Sequence, residues 1–163
     1  MTGAPAPQVA AAEYASRRLA RLAAVQGLYQ IALSASSPAE VVRDFRDHPP
    51  PLPSGDNNET AVSPGSFDQE LFGEIVTGVM QNTAALDEMI AGAFDAKLSA
   101  GRVEALLRAV LRAGAYELHY HAKIPTGVII NDYVDVAHAF FGQKEPGLVN
   151  AVLDKLAKKL RQG

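Results

Sequence analysis

The sequence predicts an all-α fold, and the main evidence is three successive apolar repeats in its second half. Between Leu106 and Leu160 the apolar residues recur at intervals of three and four, which is the period of one buried helical face. Prolines and glycines separate the repeats at positions where helices commonly begin and end. The rest of the chain adds four helical segments and no convincing strand, so we expect seven helices.

The first helix is expected over about residues 8–34, where alanine is frequent and apolar residues mark one side. Residues 1–7 form a small-residue tail that we expect to be flexible. The tetrapeptide Ser-Pro-Ala-Glu at 37–40 indicates a helix start, with serine as the cap, proline at the first helical position and glutamate reaching back to the cap. A short second helix should follow to about Asp47.

Residues 48–65 are rich in proline, glycine and asparagine and contain few apolar residues, so we expect a surface loop with no packed element. The segment before this loop is too short to form its own core, which favours a single compact domain over residues 8–162. A capping box at 66–69 predicts the start of a third helix, which runs towards Asn82. A fourth helix should end before Phe94.

The last three helices follow the apolar repeats. The fifth follows a break at residues 99–101, carries the apolar repeat of residues 106–118 and is expected to be the central helix of the fold. Pro125 begins the sixth helix, because a proline at the first helical position gives up an amide that the helix does not use, and Gly142 ends it. The seventh helix runs to Leu160 with Pro146 just inside its start.

The composition excludes several classes of protein. The 163 residues include no cysteine, which excludes a disulfide framework and a thiolate zinc site. The sequence has no apolar run of about 18 residues that would span a bilayer, and no pattern typical of a secretory leader. We therefore expect a cytoplasmic protein without a membrane partner.

The charge is modest in total but uneven along the chain. The formal net charge is −3, and residues 37–74 contain eight acids against two arginines. In the first helix Arg17, Arg18 and Arg21 lie close together, and Arg17 and Arg21 are one turn apart. Such a cluster is either a solvated helix face or a site for an anion, and the charge pattern alone leaves both interpretations open.

No residue pattern in the chain indicates catalysis. The sequence contains no nucleophile elbow, phosphate-binding glycine loop or pair of catalytic carboxylates. His119 and His121 are two residues apart and would face different sides of a helix, which makes a shared metal site geometrically poor. We predict no enzymatic activity, no catalytic residue, no metal and no cofactor.

Four residues inside the predicted helices are interpreted as structural. Gly73 and Gly78 are expected to be close packing points between helices rather than a ligand loop. Asn131 and Asn150 are expected to hydrogen-bond between helix ends in the core, because a buried amide must find partners.

Six short motifs occur in the same order as in a known protein family, between about Ala15 and Leu160. The motifs are Arg17-Arg18 with Arg21 leading into residues 24–29 (AVQGLY), Gly78 with Asn82-Thr83 and Leu86-Asp87, residues 110–118 (VLRAGAYEL), Ile124-Pro125, residues 128–133 (VIINDY) with Ala137, and residues 148–155 (LVNAVLDK). On these residues the chain resembles the transcription antitermination factor NusB family, with the Pro-rich stretch as an insertion. The resemblance implies seven helices in two perpendicular three-helix subdomains, which agrees with the helix count from periodicity.

The resemblance also implies a function and partners. It implies a non-enzymatic protein that binds the boxA element of ribosomal RNA leader transcripts, together with the small-subunit ribosomal protein that acts as NusE. As part of an RNA polymerase antitermination complex, the protein would support read-through of terminators and ribosomal RNA synthesis. Two alternatives stay open, a helical protein–protein adaptor and a stand-alone RNA-binding domain related to ribosomal RNA methyltransferases. The sequence also leaves open whether the free protein is a monomer or a homodimer.

The RNA-binding residues that the resemblance implies are concentrated in the first helix. Phosphate contacts require a local cluster of positive charge, which Arg17, Arg18 and Arg21 would supply. Tyr29 would offer a ring for stacking an unpaired base, and Gln26 would read a base edge. From the sequence pattern alone, Tyr29 would instead be interpreted as a core ring with its hydroxyl at the surface.

The resemblance implies two further contact regions. A second RNA contact is expected at Lys144 and Leu148, just where the seventh helix begins, with leucine in the place where the family usually has phenylalanine. The protein partner is expected near the start of the fifth helix, where Glu104 is the nearest acid. Glu70 and Glu74 on the third helix form another candidate partner surface, with a solvated helix face as the alternative.

Overall fold

The computed structural model describes residues 7–53, 59–60, 67–93, 102–142 and 144–161, with side chains not described at 7–12, 53, 59–60 and 102–104. Seven helices occupy most of this part of the chain, which confirms the predicted all-α fold and helix count. The helices are α1 (Pro7–Ser34), α2 (Pro38–Asp47), α3 (Gln69–Gln81), α4 (Thr83–Ala93), α5 (Arg102–Tyr120), α6 (Thr126–Phe140) and α7 (Lys144–Leu160).

Helix α1 is packed on several sides by other helices. It contacts α2, α3, α5 and α6, and its middle section is buried nearly all round. Ala20, Ala23 and Ala24 are fully buried there, because a methyl side chain lets neighbouring helices approach closely. One narrow row of the helix surface stays partly accessible, and it carries the predicted site residues Arg18, Gln26 and Tyr29.

Helix α5 packs against α1, α3, α4, α6 and α7, as expected for a central helix. At two positions a glycine allows a close approach between α5 and a neighbouring helix. Gly114 faces Leu153 of α7, where an added Cβ would lie 2.7 Å from the leucine Cδ1. Gly78 of α3 faces the ring of Tyr116, which an added Cβ would overlap. The interpretation of Gly78 as a close packing point is therefore confirmed, whereas Gly73 has only ordinary contact with a neighbour.

The helix starts are set by short polar side chains. Ser37 Oγ accepts a hydrogen bond from the Glu40 amide at 3.1 Å, which confirms the predicted cap of α2. The cap of α3 is Asp68, whose Oδ1 accepts from the Leu71 amide at 3.0 Å. Ser66, the expected cap, lies outside the described residues, and the helix begins later than the capping-box pattern predicted.

The Pro-rich stretch contains a small packed element that the sequence pattern did not predict. Leu52–Pro53 (β1) pairs antiparallel with Glu59–Thr60 (β2), and Leu52 is fully buried in the core. The expectation that residues 48–65 hold no packed element is therefore wrong at Leu52, because a single apolar side chain among prolines can still fill a core position. Residues 54–58 and 61–65 of this stretch lie outside the described part of the chain.

The two asparagines interpreted as buried are both exposed, so that interpretation is wrong. Asn131 and Asn150 occupy the solvent side of α6 and α7, where water satisfies an amide without a protein partner. The expected tail at 1–7 lies outside the described residues, except for Pro7, which already belongs to α1. The expected break at residues 99–101 also lies outside the described residues. Within the described chain, every helix is too short or too polar to cross a membrane.

Candidate nucleic-acid interface

The three arginines of α1 do not form one cluster. Each residue turns a helix by about 100°, so Arg17 and Arg18 point in different directions from the same axis. Arg17 and Arg18 are exposed, but Arg21 has only 1% of its surface accessible. One turn of helix thus separates an exposed guanidinium from a fully buried one.

Two carboxylates from different helices hold Arg21 in the core. Its Nε and Nη2 donate to the two oxygens of Glu117 on α5 at 2.7 and 3.0 Å, and its Nη1 donates to Asp132 Oδ2 on α6 at 2.7 Å. The Tyr133 hydroxyl also donates to Glu117, and the Tyr14 hydroxyl donates to Asp132 Oδ1 at 3.0 Å. Arg21 therefore joins α1 to both α5 and α6.

This network keeps its central pair charged. Burial by itself raises the pKa of Glu117, but hydrogen bonds from His121, Arg21 and Tyr133, together with the guanidinium charge, lower it to about 2. Burial is the largest effect at Asp132 and raises the pKa of that carboxyl despite the neighbouring guanidinium. The pKa of Arg21 is raised, because hydrogen bonding and attraction to Glu117 outweigh its own burial.

The expectation that Arg21 contacts RNA is wrong. Its donors already point at two carboxylates, and turning it outward would leave both acids buried without a counter-charge, which is strongly unfavourable. A signal for this role was present in the sequence. Glu117 and Asp132 each lie on an otherwise apolar helix face, and an acid on a buried helix face requires a cationic partner.

Arg18 lies on the side of α1 that faces α6. Its Nη2 is 3.1 Å from Asp135 Oδ2, and both side chains are about half exposed. An exposed pair of this kind contributes little, typically below about 1 kcal/mol, so a phosphate can compete for the guanidinium. Asp135 and Tyr14, which also borders this side, were not identified from the sequence.

Arg17 lies on a different side of α1, beside the start of α3. It borders an open depression together with Asp68, Glu70, Glu74 and Ile124, and Glu13 lies on a neighbouring depression with it. Among the described residues Arg17 forms no ion pair, but it stands in a mostly acidic surrounding. A phosphate strand would meet more negative than positive charge on this side.

The other residues expected to bind RNA are partly accessible. Gln26 and Tyr29 are half-buried on the accessible row of α1 that also carries Arg18, with steps of eight and three residues between them. Lys144 is exposed at the first residue of α7, and Leu148 is half-buried against the core. The structure brings Arg18, Gln26 and Tyr29 onto one row and places Arg17 and Arg21 elsewhere.

The acids expected to contact a protein partner differ in their surroundings. Glu70 and Glu74 are exposed on α3, and Glu74 Oε2 lies 3.3 Å from His121 Nε2. The other ring nitrogen of His121 is 3.0 Å from Glu117 Oε1, so the histidine links the α3 surface to the buried network. Hydrogen bonding to Glu117 raises the pKa of His121. The side chain of Glu104 lies outside the described set.

Several residues of the sequence motifs hold helices together rather than forming a site. Arg112 of α5 donates from Nε and Nη2 to the two oxygens of Asp87 on α4, both at 2.7 Å. Asn82 Nδ2 donates to the Gly78 carbonyl and so caps the end of α3. Among the described side chains, no group of three histidines or acids is arranged to hold a metal ion.

Comparison with known proteins relates this arrangement to one family. A family model described as the NusB family matches residues 18–158. The transcription antitermination protein NusB of Nitrobacter hamburgensis is 41% identical over 147 residues, which is 90% of this chain and 89% of the relative. The corresponding protein of Caulobacter vibrioides is 38% identical over 145 residues, 89% of this chain and 94% of the relative.

Two solved structures show the same fold. The NusB of T. maritima superposes with a TM-score of 0.67 at 23% identity, covering 88% of this chain and 91% of that chain. A structure of the antitermination factors NusB and NusE in complex with dsRNA also gives a TM-score of 0.67, at 22% identity, covering 87% of this chain and 96% of that chain.

Proposed function

We propose that this chain, which belongs to the NusB family, is a non-enzymatic RNA-binding factor in transcription antitermination. In this proposal it binds the boxA element of ribosomal RNA leader transcripts in the cytoplasm. It does so with the ribosomal protein that acts as NusE, and the complex supports read-through by RNA polymerase. The observation that carries the proposal is the 41% identity to a curated NusB over 90% of the chain.

The partners are proposed by analogy with a solved complex. The structure that contains NusB, NusE and dsRNA has the same fold as this chain over 87% of its length. That complex supports both an RNA ligand and a NusE-type partner. A helical adaptor that binds only protein, and an RNA-binding domain related to ribosomal RNA methyltransferases, are the alternatives that binding experiments must separate.

The geometry favours the Arg18 side of α1 as the RNA-binding surface. Arg18 offers a guanidinium held only by an exposed ion pair, and Gln26 and Tyr29 lie on the same accessible row. Lys144 and Leu148 at the start of α7 are proposed as the second contact. Phosphate contacts set position and affinity, while partly exposed aromatic and amide groups discriminate bases.

The acids on α3 are proposed for the protein partner. Glu70 and Glu74 border the acidic depression around Arg17, and a basic segment of a partner would find complementary charge there. Glu104 belongs to the same proposal as the acid nearest the start of α5. Arg17 stays a proposed RNA contact, but the surrounding carboxylates predict that it contributes less than Arg18.

The test is filter binding of a boxA RNA across a salt series. Arg18→Glu is expected to weaken binding at least tenfold and to reduce the slope of log affinity against log salt by about one unit, because a phosphate contact is lost. Arg17→Glu should have the smaller effect. The matched control is Arg43→Glu on α2, an exposed helical arginine far from this row in the sequence.

Two outcomes would contradict the proposal. Equal RNA affinity in wild type and Arg18→Glu would remove the Arg18 surface from RNA binding. Failure of the wild-type protein to bind boxA RNA, with or without a NusE-type ribosomal protein, would favour the adaptor that binds only protein. Tighter RNA binding by the mixture than by the chain alone would support both partners, because coupling between two ligands is reciprocal.

A further inference from the structure

Tyr14 is an exposed aromatic residue near the start of α1 that was not predicted to be a site residue from the sequence. It is one of three large apolar side chains exposed among the described residues, with 44% of its surface accessible, compared with 45% for Tyr120 and 54% for Leu33. Its hydroxyl donates a 3.0 Å hydrogen bond to Asp132 Oδ1, and Asp132 is itself only 1% exposed. The ring is therefore open to solvent while its far end is anchored in the core.

The anchor of Tyr14 is part of the buried ionic network. The second oxygen of Asp132 accepts from Arg21, which also donates to both oxygens of Glu117. Because Asp132 is fixed by a buried guanidinium, it holds the tyrosine hydroxyl at a defined position. Burial and the hydrogen bond to Asp132 both raise the pKa of Tyr14, so the hydroxyl stays protonated and keeps donating at neutral pH.

Tyr14 lies one helical turn before Arg18, which places the ring and the guanidinium side by side on α1. Both reach towards α6, where Asp132 accepts from the tyrosine and Asp135 pairs with the arginine. Each carboxylate near the ring has a cationic partner: Asp132 shares Arg21 with Glu117, and Asp135 pairs with Arg18 through one guanidinium nitrogen only.

An exposed ring of fixed orientation beside an exposed arginine matches the chemistry of an unpaired nucleotide. Every base has a π face that can stack on an aromatic side chain, and the adjoining phosphate can accept from the guanidinium. We propose that Tyr14 is a stacking platform for a single-stranded RNA base whose phosphate contacts Arg18. This inference rests on the proposed RNA-binding function and adds a base-contacting residue to it.

The anchored hydroxyl has a consequence for affinity. A tyrosine has few side-chain torsions, and the hydrogen bond to Asp132 already restricts them before RNA arrives. Little conformational entropy is lost on stacking. The ring should therefore contribute near the upper part of the usual range for a base stacked on an aromatic residue.

The direct test uses fluorescence. The chain contains no tryptophan, so Tyr14→Trp introduces a single reporter ring at this position. Addition of single-stranded boxA RNA is expected to quench this fluorescence with the same midpoint as filter binding. Tyr120→Trp is the matched control, because Tyr120 is equally exposed but lies at the end of α5. A duplex of the same sequence should quench the reporter in Tyr14→Trp much less, because its bases are already stacked.

Binding measurements supply the second test. Tyr14→Ala is expected to weaken RNA binding by roughly 10- to 100-fold with an unchanged salt slope, because no charge is removed. Tyr14→Phe keeps the ring and should stay within about threefold of wild type, since the π face remains. Thermal unfolding of each variant establishes that it is folded at the temperature of the assay.

Three results would overturn the inference. Wild-type affinity in folded Tyr14→Ala would remove the ring from RNA binding, and so would unquenched fluorescence of Tyr14→Trp at saturating RNA. Quenching of the same reporter by the ribosomal protein in the absence of RNA would assign the ring to a protein contact instead. These failures are distinct from failure of the proposed function, because Arg18→Glu would still lose salt-dependent RNA binding if only the Tyr14 inference is wrong.

Discussion

Replacing Arg21 by methionine tests whether this residue belongs to the core or to the RNA surface. Methionine has a similar length and no charge, so Arg21→Met leaves Glu117 and Asp132 buried without their shared partner. Breaking a buried ion pair in this way costs about 3–5 kcal/mol. In a chain of this size that corresponds to a fall in Tm of roughly 6–20 °C.

The assay is urea unfolding monitored by circular dichroism, with Arg17→Met as the matched control. Arg17 is one turn away but exposed, so its replacement should change the free energy of unfolding by less than about 0.5 kcal/mol. Losses that are equal in the two variants, or a loss below about 1 kcal/mol in Arg21→Met, would refute the assignment of Arg21 to the core.

The pH dependence provides an independent check on the same variant. The pKa of Glu117 is about 2 in the folded protein against an ordinary 4.5, so this carboxylate stabilises the fold above pH 4.5, and the stabilisation is lost as the pH falls through 2. Without the guanidinium, the carboxyl protonates at a higher pH. The difference in stability between wild type and Arg21→Met should therefore shrink between about pH 7 and pH 4, and a difference that stays constant would contradict the pairing.

Two further predictions concern packing and the histidine. Gly78→Ala should destabilise the protein by about 1–3 kcal/mol in thermal unfolding, because the new methyl overlaps the Tyr116 ring. Gly73→Ala on the same helix is the control and should be neutral or stabilising by up to about 1 kcal/mol; equal effects would contradict the close approach. The raised pKa of His121 means that its contribution is fully present below pH 6.5 and is lost as the pH rises through the folded value. His121→Gln should therefore lose about 1 kcal/mol at about pH 6 and nearly nothing at about pH 9 in urea unfolding, and a loss independent of pH would refute the role of the imidazolium.

The helices were predictable because their signals are local. Apolar periodicity, alanine density and the serine cap at Ser37 depend only on neighbours in the sequence, and they identified seven helices with approximate ends. The predicted start of α3 at the 66–69 capping box was early, because Asp68 supplies the cap and the helix begins at Gln69. The burial of Leu52 was not predictable, because its core position depends on helices that are distant in the chain.

The candidate site was only partly predictable. The sequence identified α1 as the helix of interest, and Arg18, Gln26 and Tyr29 do share its accessible row. It did not identify Tyr14, whose significance comes from a hydrogen bond across 118 residues of sequence. The acids at 117 and 132 were a usable signal for the inward arginine, since each lies within an otherwise apolar helix face.

The sequence by itself determined the class of fold, the order of the helices and the family. Those properties follow from periodicity and motifs that are written along the chain. Only the tertiary structure decided that Arg21 is buried while Arg17 and Arg18 face solvent. The physical reason is that a guanidinium is placed by the carboxylates that surround it, and Glu117 and Asp132 reach Arg21 only after α5 and α6 have packed against α1.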